Sequence, residues 1–253
     1  MAQQAGILTI KGTLGNLTFY KSRSGGYLVR EKGGIDASRI ASDPAFARTR
    51  ENGEEFKRAC KAGKLLRVSF RSLMQNASDS LATARLVQAF SQVIKADLTS
   101  VRGQRNVIDG EAELLTGFEF NAGSTLQSTL FAPFISDIDR ATGNLTVEIP
   151  SFIPAQMIAV PGGATHFVIS CGGAEIDFEA ASYVNGVAKS NELPINSLAT
   201  AALNLTVPVT ANSTKPLFVA LGIQFIQQVN GVSYSLKNGT FNALAIVAVS
   251  GTP

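Results

Sequence analysis

From residue 42 to residue 98 the chain repeats apolar residues at helical intervals beside a dense run of cations, and the rest must be folded around that stretch. Ser42-Asp43-Pro44 is a helix start, with an oxygen-bearing cap followed by a proline in the first turn, where its missing N–H costs nothing. Asn52-Gly53 predicts an interruption, which leaves residues 44–50 as a short first helix. Beyond it Phe56, Cys60, Gly63, Leu66, Phe70, Leu73 and Met74 recur every three or four residues and lay one apolar stripe along a helix. Lys57, Lys61, Lys64 and Arg71 follow one position on, about 100° around the axis, so a basic ridge runs beside the stripe. Gly63 within the stripe costs about 1 kcal/mol relative to alanine, which points to another backbone packed close to it. Asn76-Ala77-Ser78-Asp79 breaks the helix. Leu81, Leu86, Phe90, Val93, Ile94 and Leu98 then form a second amphipathic helix, and so short a break predicts an antiparallel helical hairpin.

Ahead of the helices, residues 6–20 read as two strands around Gly12 and Gly15-Asn16, and residues 27–31 as a third. Such a meander is marginal by itself and has to pack on something else. Residues 35–41 read as an extended connector. After residue 110 strand-like runs appear at 117–121, 125–131, 144–149, 157–160, 166–171, 175–179, 202–207, 217–227, 233–236 and 243–249. Gly, Pro or Asn-Gly turns separate many of them, with hairpins expected at Asn230-Gly231 and Asn238-Gly239. The expected class is α+β, an N-terminal β-meander and helical hairpin followed by a C-terminal antiparallel β-sandwich. The expected divisions are 1–41, 42–110 and 111–253.

Three runs quoted from this part of the chain resemble a group of uncharacterised proteins from Bacteroidota: Lys11-Gly-Thr-Leu-Gly-Asn-Leu-Thr-Phe-Tyr-Lys, Gly26-Tyr-Leu-Val-Arg-Glu-Lys-Gly-Gly and Asp43-Pro-Ala-Phe-Ala-Arg-Thr-Arg-Glu-Asn. Arg102-Gly-Gln-Arg-Asn-Val-Ile-Asp-Gly and Gly117-Phe-Glu-Phe-Asn are similar as well. The resemblance implies a bacterial source and brings no catalytic residue with it.

Charge divides the chain more sharply than its overall +3 indicates. Residues 1–110 hold 18 Lys and Arg against 9 Asp and Glu, whereas residues 111–253 hold 4 against 10. This polarity suits either phosphate contact by the first part or head-to-tail contact between copies. On the basic side Arg102 and Arg105 join Lys57, Lys61, Lys64 and Arg71 as candidate anion or self-assembly contacts. On the acidic side Glu175, Asp177 and Glu179 alternate with Ile176 and Phe178, so three carboxylates are expected on one strand face.

Reaction chemistry finds little footing. His166 is the single histidine, and five residues along a strand it points away from Cys171. Cys171-Gly172-Gly173 reads as a strand-end turn, and the two cysteines, Cys60 and Cys171, as reduced core thiols. No G-x-S-x-G, phosphate-loop or dinucleotide fingerprint occurs, so no cofactor, metal or small-molecule substrate is implied. Met1-Ala-Gln-Gln carries no Sec-type signal, and no apolar run reaches the roughly 18 residues of a membrane span, so cytoplasmic synthesis without a membrane span is expected. What remains is a non-enzymatic structural protein that self-assembles into a filament, tube or shell-like particle through basic-to-acidic and strand-edge contacts. The alternative is a nucleic-acid-associated protein that grips the phosphate backbone with its basic part.

Overall fold

The computed structural model describes residues 2–4, 9–22, 25–31 and 33–251, so residues 6–8 of the first expected strand lie outside it. The chain divides into two compact units, Met1–Arg50 and Glu51–Pro253. Helices make up 27% and antiparallel strands 35%, so neither class is an accessory to the other and the fold is α+β. Among the described residues no helix is long and apolar enough to cross a membrane.

In the N-terminal unit four antiparallel strands run in the order β1 (Ala2–Gln3), β4 (Gly26–Glu31), β3 (Leu17–Ser22), β2 (Gly12–Leu14). The meander is therefore present, with β1 added along its β4 edge. Gly15, at φ +56°, supplies the left-handed backbone that a tight β2–β3 turn needs at its first central position. Residues 35–41 do not form the extended connector expected of them. Asp36 accepts a 2.8 Å bond from the Ser38 amide and caps helix α1 (Ala37–Ser42), a local start signal hidden in a short polar run. The cap is followed by a 3₁₀ turn over Pro44–Phe46, and Arg50 Nη1 ties the segment together by donating to the carbonyls of Ile40 and Asp43 at 2.7 and 2.9 Å.

Helix α2 (Ala47–Ser69) passes through Asn52-Gly53 without the expected break. No atom outside the helix crowds Gly53, and 23 residues of hydrogen bonding absorb the weak helix propensity of two positions. The short α3 (Arg71–Met74) and α4 (Ala82–Lys95) follow, separated by the predicted break. The buried face of α2 is formed by Ala59, Ala62, Gly63 and Leu66, while Phe56 at the head of the expected stripe is 59% exposed. Gly63 faces the side chains of Phe90, Val87 and Leu86 on α4, 3.6–3.8 Å from an added Cβ, rather than a second backbone.

Helices α2 and α4 share a core with the larger of two sheets. A three-stranded sheet orders β10 (Leu203–Pro208), β6 (Asn144–Ile149) and β5 (Ile135–Asp139). A larger sheet has β7 (His166–Asp177) beside β11 (Leu217–Val229) at its centre. β8 (Ser182–Lys189) and β9 (Leu193–Pro194) lie along the far side of β7, and β12 (Val232–Ser235) and β13 (Ala243–Ser250) along the far side of β11. The sheet curls into a half-barrel. Alternate residues of its central strands feed two cores. Phe167, Ile169 and Leu221 meet Leu145, Val147 and Val207 of the smaller sheet. Ala174, Phe218 and Ala220 meet Leu66, Phe70 and Phe90 of the helical layer. Burial on both faces is why residues 217–223 read as one apolar run without alternation.

Cys171-Gly172-Gly173 lies in mid-strand, not at a strand-end turn, and residues 166–177 are one strand rather than two. A Cβ on Gly172 would stand 2.5 Å from Leu73 Cδ1, and one on Gly173 2.8 Å from Leu145 Cδ1 and Val207 Cγ1. The two glycines thus let both outer layers approach the strand closely. The stretch expected as a strand at 125–131 holds instead the one-turn helix α5 (Leu126–Thr129), capped by Thr125. Of the strand expected at 157–160 only the isolated bridge Leu130 to Ile158 forms, because the one-turn helix α6 (Pro154–Met157), with Pro154 in its first turn, takes up its first residue. Residues 117–121 contribute only an isolated bridge, Glu119 to Ala245. Asn230-Gly231 makes the expected hairpin with both residues at positive φ, whereas Leu236–Gly239 winds into a 3₁₀ turn.

Candidate functional site

The basic ridge is real and exposed: Lys57, Lys61, Lys64 and Arg71 all lie on the solvent side of the helical layer. Lys57 pairs at 3.4 Å with Glu54, one helical turn away, an exposed contact worth little. Lys61 and Lys64 line a groove of about 810 Å³ with an apolar floor that includes Leu65, Val68 and Phe178. Asp109, Glu179 and Tyr183 also line it, so one expected acid and two expected cations meet within a single molecule. The neighbouring Arg58 spends Nη1 on the carbonyls of Gly103 and Arg105 at 2.6 and 3.1 Å, which fastens the loop after α4 against α2.

That loop is organised around Asp97, a residue without any sequence signature of its own except the Thr-Ser that follows it. Its carboxylate accepts from the amides of Thr99, Ser100 and Asn106 at 2.9, 2.9 and 3.1 Å, and it is 1% exposed. Burial pushes this carboxyl up, but the donors from Ser100, Asn106 and Thr99 outweigh burial and hold it well below the usual range. Arg102 is engaged locally, its Nη2 donating to Asn52 at 2.9 Å and its Nε lying 3.5 Å from Glu51. Arg105 Nε is buried without a hydrogen-bond partner. The loop reads as a clasp on α2 rather than an open anion cradle.

The three acids separate. β7 ends at Asp177, whose carboxylate accepts from the amides of Glu179 and Ala180 at 2.9 Å each and turns the chain, so Glu179 leaves the strand for the groove. Asp177 also pairs with Lys215 at 2.8 Å. Glu175 accepts from Ser213 Oγ and the Thr210 amide at 2.8 and 3.1 Å. Close by in the same loop system, the Arg140 guanidinium donates to the carbonyls of Ser213, Lys215, Ser250 and Gly251 and ties the β5–β6 turn to the end of β13. Glu175 and Asp177 are spent on this internal network, which leaves no carboxylate row on the strand. Cys171 is fully buried, and burial pushes its thiol up to about 12, so it offers no thiolate.

One half-buried acid had no sequence signal. Glu119 accepts from the Leu126 amide at 2.9 Å through Oε1, while Oε2 is buried without a partner. Burial pushes its carboxyl up to about 7, against the pull of the Leu126 amide and the Arg85 charge. Arg85 itself pairs with Asp79 at 2.5 Å and donates to the Glu119 and Phe120 carbonyls.

The N-terminal sheet presents a different surface. Register places Leu14, Leu17, Phe19, Val29 and Tyr27 on one face, together with Lys21 and Glu31. Leu14 is 71% and Leu17 42% exposed, and none of the described residues from 2 to 50 is buried. Matched against protein-family models, curated proteins and solved structures, the chain returns no match in any of the three.

Proposed function

We propose that this chain is a non-enzymatic structural protein that assembles with copies of itself into a filament, tube or shell-like particle. The observation that carries the reading is the N-terminal sheet, which has an apolar face and no buried residue among those described. Ordering a residue costs about 1–2 kcal/mol of backbone entropy, and a sheet wet on both faces has no burial to offset it. A second molecule is the cover that a self-assembling chain always has at hand. Among the described residues β1 and β2 are the edge strands of this sheet, and edge strands are suited to strand pairing between copies. In this reading the N-terminal meander is the assembling element, and the helical layer and the sheets it packs on are the body. The buried, neutral Cys171 and its divergence from His166 support the non-enzymatic part.

The test is sedimentation velocity and electron microscopy of the full chain across concentration and salt. Particles that grow with concentration and need no nucleic acid are expected. A monomer at every concentration and ionic strength contradicts the proposal. A second reading, contact with a phosphate backbone, is favoured by the exposed ridge of Lys57, Lys61, Lys64 and Arg71. It requires retention on nucleic acid that falls steeply with salt.

A further inference from the structure

Resting on the self-assembly reading, we infer that the apolar face of the N-terminal sheet docks on the same face of a second copy across a two-fold axis. The face has an apolar middle and charged ends of opposite sign. At one end Lys21 Nζ and Lys11 Nζ sit 5.6 and 6.0 Å from the centre of the Tyr27 ring, so two cations gather there. At the other end Glu31, paired across the strands with Leu17, accepts a 2.6 Å bond from Asn16 Nδ2. Phe19 and Val29, paired in register, occupy the centre.

This pattern is complementary to itself in one orientation. A two-fold axis lying in the contact plane and crossing the strands turns one sheet over and exchanges its ends. It sets Phe19 and Val29 over their counterparts and brings the Lys21 end of each copy to the Glu31 end of the other, twice. Sliding or rotating the sheets so that the strands align without exchange puts cations over cations, which costs affinity. A two-fold contact uses one surface patch on both molecules and therefore closes as a pair. A larger particle then grows from such pairs through other surfaces, including the strand edges.

A charge-exchange cycle on the full chain tests this, with association read by sedimentation. Lys21→Glu and Glu31→Lys each place like charges opposite one another and are expected to raise the concentration needed for pairing about tenfold. The double variant K21E/E31K restores both contacts in reversed order and is expected to return to within about threefold of the native value. Both positions are exposed, and recovery of pairing in the double variant shows that neither substitution unfolds the sheet that carries it. Single variants that pair as well as the native chain overturn the inference. So does a double variant no better than the singles, which means the sheet meets a different surface. Either result leaves self-assembly standing, whereas a native chain that never associates sinks both.

Discussion

Strand β11 in the C-terminal unit buries Val219, Leu221 and Ile223 against one layer and Phe218 and Ala220 against another, and each of these is at most 1% exposed. Strand β3 in the N-terminal unit carries Leu17, Phe19 and Tyr20 in a similar alternation, with neighbours on both sides, and buries none of them. Each strand is paired on both sides over part of its length, so pairing is not what distinguishes them. The difference lies in what covers the faces. The C-terminal unit supplies its own covers, through glycines that let helices and a second sheet close in; among the described residues of the N-terminal unit none is buried. One unit buries a core of its own, and in the other no described residue up to Arg50 is buried.

The largest effect expected from this contrast comes from the same substitution made in each unit. Leu66→Ala removes a fully buried side chain between α2 and the sheet and is expected to cost about 2–5 kcal/mol in urea denaturation. Leu14→Ala, at a position 71% exposed, is expected to leave that transition within about 0.5 kcal/mol of native while weakening association. Equal losses of stability in dilute solution would erase the distinction between the units.

A smaller effect separates them by pH. Glu119 in the C-terminal unit has a value raised from 4.5 to about 7, so its contribution to stability is complete below about 4.5 and lost as pH rises through about 7. Glu119→Gln removes that loss, and the variant is expected to be more stable than native at pH 8 by on the order of 2 kcal/mol, with no gain at pH 4. The N-terminal unit runs the other way. The Ser38 hydroxyl and amide hold Asp36 low, and the Ala45 amide with Arg39 holds Asp43 low. Their contribution is present at neutral pH and lost as pH falls through those lowered values. Denaturation followed at pH 2, 4, 6 and 8 checks both signs. The smallest effect is a gain: Gly63→Ala adds a Cβ at ordinary contact distance from α4, and up to about 1 kcal/mol of stabilisation is expected by thermal denaturation.

Where one element decides its own neighbours, its residues were readable. Strand β6 matches its expected bounds, and β10, β11, β12 and β13 match within two residues, because their apolar runs are bounded by turn residues. The ridge of Lys57, Lys61, Lys64 and Arg71 was readable because helical spacing alone puts those residues outside. Short apolar runs were not: Thr125 caps a helical turn inside one of them, Pro154 starts another that ends on the first residue of the run at 157–160, and period alone does not separate a four-residue helix from a strand. Gly172-Gly173 reads as a turn locally and as a close-packing site only once both outer layers are known. The same holds for the groove. Glu179 stands more than a hundred residues from Lys61 and Lys64, and only the turn made by Asp177 delivers it there. Arg140 and Glu119 owe their roles to carbonyls and burial that no spacing encodes.

Hydrogen exchange at the amides of residues 12–31, followed from dilute to concentrated protein, tests most directly whether the N-terminal sheet is completed by another copy. Protection of these amides is expected to rise with concentration, while the amides of β7 and β11 stay equally slow throughout. Protection in residues 12–31 that does not change with concentration, whether already slow in the most dilute sample or still fast in the most concentrated, would contradict it.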